Sequence, residues 1–508
     1  MHPDQPSSRP ILPLVLALFF LSGALALVYQ VVWARMMTHI FGSTALAVGT
    51  VLAGFMAGLA LGSWVAGRIA DRTANCLRLY AWLEIGIAAA AIAVHLLLDG
   101  LQSADSGIYE VLGGSAGMVA LMRFLLVFLL VMAPTLLMGA TLPVLTRVLV
   151  RRAGALGGRL SSLYAVNTFG AVCGVLLTGF YLIGRFGIHA PVYFAVAGNL
   201  AVGCIAWLAS TRASGAGEPA PAAPETAIDG RDQAPLDPWA LRLVVFGLGL
   251  SGFTSFAYEI YWTRSLVFLL GNSTYAMTTM LAAFLTGIAL GGYVIRYLLG
   301  RLPDQAAVFG WIQVLLGLLS ALALPLLFGI SEPQAVGRHL AETAMEPLPL
   351  VLSGFGVAFL VMLGPAILIG ATFPLVGAIV ARDLRTTGAD VGRVYAVNTW
   401  GNVLGALTVE ILVGQVAAQK GIGPATHRHP AHTPQGGEVD EDVVTPVAGL
   451  DAQDRHSAQV LRRDQPPDRV HAPVDVLGDG LDATVPLTAS TISHPQVDAR
   501  PGVAGVAD

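Results

Sequence analysis

The stretch Leu21-Ser-Gly-Ala-Leu-Ala-Leu-Val-Tyr29-Gln30-Val-Val-Trp33-Ala-Arg35 recurs near 230 residues later as Leu250-Ser-Gly-Phe-Thr-Ser-Phe-Ala-Tyr258-Glu259-Ile-Tyr-Trp262-Thr-Arg264. Three more blocks recur in the same order. Phe55-Met-Ala-Gly58-Leu-Ala-Leu-Gly62 returns as Phe284-Leu-Thr-Gly287-Ile-Ala-Leu-Gly291. Pro134 through Gly139-Ala-Thr141-Leu-Pro143 returns as Pro365 through Gly370-Ala-Thr372-Phe-Pro374. Tyr164-Ala-Val-Asn167-Thr-Phe-Gly170 returns as Tyr395-Ala-Val-Asn398-Thr-Trp-Gly401. Four blocks in one order exclude coincidence: the chain is two copies of one unit.

Composition says what the unit is. Of 508 residues, 55% are hydrophobic and 12% charged, about half the charge that wets an ordinary globular surface. A net charge of -4 offers no basic footprint for nucleic acid. Apolar runs long enough to cross a bilayer as helices fall at about 12–35, 44–66, 79–98, 119–142, 161–183 and 189–210. A second set falls at about 241–264, 273–295, 307–329, 349–380 and 394–416. The first run lacks a basic leader and a cleavage site, so it reads as a span rather than a signal peptide. The expected class is an all-α polytopic membrane protein. Its segments are an N-terminal stretch 1–11, a first membrane repeat 12–210, a linker 211–240, a second repeat 241–416 and a tail 417–508.

Six helices between the copies make both halves cross in the same direction, as parallel repeats about an axis normal to the membrane. Transporters of the major facilitator type are built this way, with the solute site at midplane between the halves. Eleven runs leave the second repeat incomplete. On the side where the N-terminus lies, the short loops carry Arg68, Arg72, Arg78, Arg147, Arg151, Arg152 and Arg159, and later Arg296, Arg301, Arg382, Arg385 and Arg393. The opposite loop at 99–118 has acids but neither Arg nor Lys. The positive-inside rule then puts the N-terminus in the cytoplasm and the chain in a bacterial inner membrane.

The first block, the Phe55–Ser63 block leading to Gly67-Arg-Ile-Ala-Asp71-Arg72, and Tyr-Ala-Val-Asn-Thr resemble the membrane region of bacterial fused spermidine-synthase-like proteins. The resemblance covers roughly residues 12–406. It implies a facilitator-like membrane domain followed by a soluble aminopropyltransferase domain. Gly67, Asp71 and Arg72 also resemble the loop motif after the second helix of the major facilitator superfamily. After about Ala406 the sequence departs from the pattern. Residues 421–508 contain no Phe, Trp, Tyr, Met or Cys. Such a chain buries little apolar area and is expected to be disordered; an out-of-frame reading of GC-rich coding sequence gives a similar composition. Two functions follow: a transporter-like module for a small solute, amine-like by family association, or a membrane-tethered aminopropyltransferase whose catalytic domain this chain does not carry. A non-functional fragment is the third reading.

No residue takes a catalytic or cofactor role, and no cofactor is implied. Cys76, Cys173 and Cys204 have no metal or redox spacing, and His427-Arg-His429-Pro-Ala-His432 lacks the scaffold a metal needs. Val476-Leu-Gly478-Asp479-Gly480 opens no helix and is set aside as a nucleotide loop. The partners are the bilayer and a small solute. Gln30 and Glu259 sit at equivalent repeat positions, beside Tyr29 and Tyr258. An intramembrane carboxylate costs about 2.5–3.5 kcal/mol on insertion scales and seeks a cavity or a partner, so Glu259 is expected in a polar cavity between the halves. Asn167 and Asn398, each followed by glycines, read either as interhelical hydrogen-bond donors or as solute contacts. The glycines four apart read as close helix packing, and the four prolines as fixed bends or hinges. Glu84 reads as an interfacial partner of Arg78.

Overall fold

Every apolar run forms a helix, and the helices outrun the runs. The structure, a computed structural model, describes residues 11–41, 44–103, 116–150, 156–214, 236–270, 274–331, 347–381 and 383–419. Most of the linker and the whole 421–508 tail lie outside the described residues. The first half contains α1 (Ile11–Phe41), α2 (Thr44–Arg72), α3 (Cys76–Ser103), α4 (Ala116–Leu149), α5 (Leu156–Phe186) and α6 (Ala190–Ser214). The second contains α7 (Pro238–Leu270), α8 (Thr274–Leu298), α9 (Gln305–Ser331), α10 (Pro347–Val380) and α11 (Thr387–Gln419).

Hydropathy marks only the segment that crosses the hydrocarbon, whereas caps set the true ends. The Arg78 N–H donates to Asn75 Oδ1 at 2.9 Å and starts α3; the Ala307 N–H donates to Asp304 Oδ1 at 2.9 Å and starts α9. Gly187, at φ 76°, ends α5 in a conformation that costs other residues strain. Ten helices among the described residues are long and apolar enough to span a membrane. The remaining one, α11, carries Asp390, Arg393, Asn398 and Asn402. It packs against α2 and α7 rather than facing lipid along its length. The paired prolines, Pro134 and Pro143 in α4 and Pro365 and Pro374 in α10, lie inside continuous helices.

The repeat is visible in the packing. α1 crosses α5 where Gly23 sits on the Asn167 carbonyl, Gly170 on the Phe20 carbonyl and Gly174 on the Ala24 carbonyl. α7 crosses α11 at the matching places: Gly252 on Asn398, Gly401 on Gly249, Gly405 on Phe253. Likewise Gly62 and Gly139 knit α2 to α4, and Gly291 and Gly370 knit α8 to α10. A methyl at any of these would enter a neighbouring backbone. Without a hydrophobic drive between helices in lipid, such close approach is what holds them. The tyrosine–tryptophan pairs match too: Tyr29 on Trp33 at 5.3 Å and Tyr258 on Trp262 at 5.4 Å between ring centres, both stacked.

Between the halves, α2 packs on α11 and α5 packs on α8. The two-fold exchanges these two contacts, since α8 repeats α2 and α11 repeats α5. At the second contact α5 loosens into a π-turn, Thr178–Leu182, where Gly179 backs onto Thr278 of α8. In the first half α6 covers α3; among the described residues nothing covers the equivalent face of α9, where Trp311 is 72% exposed.

Candidate functional site

The two crossings leave a cavity of about 200 Å³ on the two-fold axis. Its walls come from α1, α2, α4 and α5 and from their repeats α7, α8, α10 and α11; among the described residues, α3, α6 and α9 contribute none to the lining. The lining is paired by the repeat: Tyr164 with Tyr395, Asn167 with Asn398, Thr168 with Thr399, Thr141 with Thr372, Phe55 with Phe284. At one end Phe373 of α10 bridges Tyr164 and Tyr395, with ring centres 5.1 and 5.3 Å away. That end lies toward the side where α1 begins, since both tyrosines are two turns into helices that start there. The volume is below the roughly 300–1,000 Å³ of drug-sized sites, so it suits a small solute.

Gln30 and Glu259 both line the cavity, 4% and 8% exposed, from matching positions on α1 and α7. Glu259 is the one charged side chain among the lining residues. Among the described residues no hydrogen bond or ion pair holds its carboxylate; the side chain of Arg264 lies outside them. Asn167 and Asn398 are also on the wall. Asn167 Nδ2 donates to the Phe19 carbonyl at 3.1 Å, so one amide serves both as interhelical donor and as lining.

Tyr29 and Tyr258 are not on the wall. One residue turns a helix by about 100°, which swings each ring away from the neighbouring Gln30 or Glu259. Tyr29 is fully buried inside the first half, where its hydroxyl donates to Asn199 Oδ1 at 2.9 Å. Tyr258 packs within the second half, stacked on the fully buried Trp262.

Gly67, Asp71 and Arg72 lie away from the cavity, at the end of α2. Gly67 meets the backbone of Gly388. Asp71 accepts the Gly388 and Ala389 N–H groups, at 2.8 Å each, and lies 3.3 Å from Arg147 Nε. A carboxylate on the first turn of a helix satisfies orphan donors and the positive dipole end together. Ser63 adds a bond from its Oγ to the Gly392 carbonyl at 3.2 Å. Arg72 is exposed. The motif therefore joins the halves at one end, away from the cavity lining.

Glu84 overturns its sequence reading. It is 0% exposed and does not meet Arg78, whose guanidinium stacks over Trp207 at 4.4 Å. Six residues of helix leave the two side chains about 120° apart around the axis. Instead Ser22 Oγ donates to Glu84 Oε1 and Asn199 Nδ2 donates to Oε2, each at 2.6 Å. The available signal was a fifth repeat block, Tyr80-Ala-Trp82-Leu-Glu84 against Phe309-Gly-Trp311-Ile-Gln313. In that copy Gln313 Nε2 donates to Ser251 Oγ at 3.2 Å, matching Glu84 and Ser22.

Among the described residues no three His, Cys, Asp or Glu side chains gather as metal ligands. Neither a protein-family model nor a curated protein matches the chain. Solved structures do. The major facilitator superfamily transporter FucP in its outward conformation aligns with a TM-score of 0.50 at 14% identity, over 81% of this chain and 93% of that one. A point variant of the E. coli fucose:proton symporter FucP aligns at 0.48 and 14%, over 81% and 92%. A bacterial homologue of the human lysosomal transporter Spinster, inward-facing, aligns at 0.45 and 16%, over 82% and 86%. The polypeptide thus has the major facilitator fold, a multi-pass membrane architecture.

Proposed function

We propose that the cavity binds a small organic cation, of the amine class, with the Glu259 carboxylate as its counter-charge, and that the halves rock about it to carry it across the membrane. The observation that supports this is the lone carboxylate. Taking an ion out of water costs several kcal/mol unless it is paired, and none of the other lining residues is a cation. A bound ammonium supplies the missing charge, and the Phe55 and Phe284 rings offer faces to its hydrocarbon or its charge. The amine class follows from the resemblance to spermidine-synthase-like membrane regions. That resemblance also supports a tethered aminopropyltransferase, which would need residues outside those described.

The arginine-rich loops favour a bacterial inner membrane with the N-terminus in the cytoplasm. Residues 12–210 and 241–416 then act as the two moving repeats, joined by the cytoplasmic linker 211–240 and followed by the 417–508 tail.

The test is binding of radiolabelled 1,4-diaminobutane to the full chain in lipid nanodiscs. Breaking a desolvated charge pair costs about 2–5 kcal/mol, so Glu259→Gln should weaken binding by about 30-fold or more. Equal affinity of Glu259→Gln and the natural chain would refute the proposal.

A further inference from the structure

Behind the cavity wall lies a second carboxylate that the solute site does not use. Glu84 is fully buried, 0% exposed, and is held by its hydrogen-bond partners. One of them, Ser22, lines the cavity and donates to Glu84 Oε1 at 2.6 Å. Asn199 holds Oε2 and is itself held by the Tyr29 hydroxyl. The titratable groups facing Glu84 are the phenols of Tyr80 on α3 and Tyr29 on α1. α6 faces it with the Asn199 amide, and among the described residues α4 sets no charged group against it.

The repeat displays the same site in its neutral form. Glutamine has the shape of a protonated glutamate, and Gln313 donates to Ser251 where Glu84 accepts from Ser22. The serine hydroxyl, both donor and acceptor, therefore serves either polarity at this position. Acid and amide are also crossed between halves. The first half has Gln30 at the cavity and Glu84 behind it, the second Glu259 at the cavity and Gln313 behind it.

We infer that Glu84 is a proton-binding site, loaded from the cavity through the Ser22 hydroxyl. A hydronium in the cavity gives its proton to Ser22 Oγ as that hydroxyl passes its own to Glu84 Oε1. Water and a neutral carboxylic acid remain, the acid now donating to Ser22 as Gln313 donates to Ser251. A proton fits where a metal cation does not: Oε2 already takes the Asn199 amide N–H, and the hydroxyls of Ser22 and Tyr80 face the carboxylate as hydrogen-bond donors. With Glu259 taking an organic cation, proton occupancy of Glu84 gives transport a driving ion. That coupling rests on the cavity reading; the proton site does not.

The experiment is pH-difference infrared spectroscopy of the solute-free full chain in lipid, on a Glu259→Gln background so that the other acid is silent. Acidification should raise a carboxylic acid C=O band that Glu84→Gln removes and Ser22→Ala shifts to higher frequency. The Ser251–Gln313 pair shows that the glutamine can be accommodated. Should Glu84→Gln not fold, the Ser22→Ala shift decides alone. Spectra unchanged by Glu84→Gln, or a band indifferent to Ser22→Ala, would overturn the site. Coupling is read separately, as proton movement into vesicles driven by 1,4-diaminobutane. Movement that persists in Glu84→Gln would overturn coupling, whereas failure of the diamine to bind the natural chain would overturn the cavity reading alone.

Discussion

Asp71 at the end of α2 accepts the backbone N–H of Gly388 at the start of α11, at 2.8 Å, and so fastens the first half to the second. Any rocking that opens this end must pull the carboxylate off the helix terminus.

Replacing Asp71 with alanine should loosen that end. Losing a helix-capping carboxylate costs about 0.5–2 kcal/mol, a shift of about 2- to 30-fold toward separation. Ser63→Cys reports it, since Ser63 is fully buried against Gly392. A membrane-impermeant maleimide should label that cysteine faster in the Asp71→Ala background, and an unchanged rate would show that the cap does not hold the halves.

Gly170→Ala and Gly401→Ala should each destabilise the fold by about 1–3 kcal/mol, the usual cost of overpacking. The added methyl meets the carbonyl of Phe20 in one case and of Gly249 in the other. Gly310→Ala, with open space around it, should be neutral or slightly stabilising through helix propensity. Thermal unfolding in detergent checks all three, and equal effects at the three sites would deny the close crossings.

Moving the charge across the two-fold should preserve binding. Gln30→Glu combined with Glu259→Gln keeps one carboxylate on the wall at the matching position of α1. Diamine affinity within about tenfold of the natural chain is expected, against a loss of about 30-fold or more for Glu259→Gln alone. A double variant as weak as the single one would show that the surroundings of Glu259, rather than its charge, select the ligand.

Positions 255 and 258, within one turn of α7, should differ in access. A cysteine at Ser255, which lines the cavity, should react with a water-soluble thiosulfonate and be protected by the diamine; one at Tyr258 should do neither. Equal reactivity at 255 and 258 would place the cavity on a different face of the helix.

Repetition and apolar length by themselves determined the eleven helices among the described residues, their common direction in the two halves and the equivalence of Gln30 with Glu259. Both signals are local or self-referential: a span needs only its own length, and a repeat is compared with itself. Which face of each helix looks where was settled only by packing. Tyr29 and Gln30 are neighbours in sequence, yet one lies inside the first half and the other on the cavity. Glu84 was legible only as an interfacial acid beside Arg78, not as a buried partner of Ser22 and Asn199, 62 and 115 residues away. Asp71 lay in a recognisable motif, but its target at the start of α11 is 317 residues on. Hydropathy measures how much a segment prefers lipid; it carries no information on which donor meets a buried carboxylate. That is decided where glycines let backbones touch and so set the rotation of each helix.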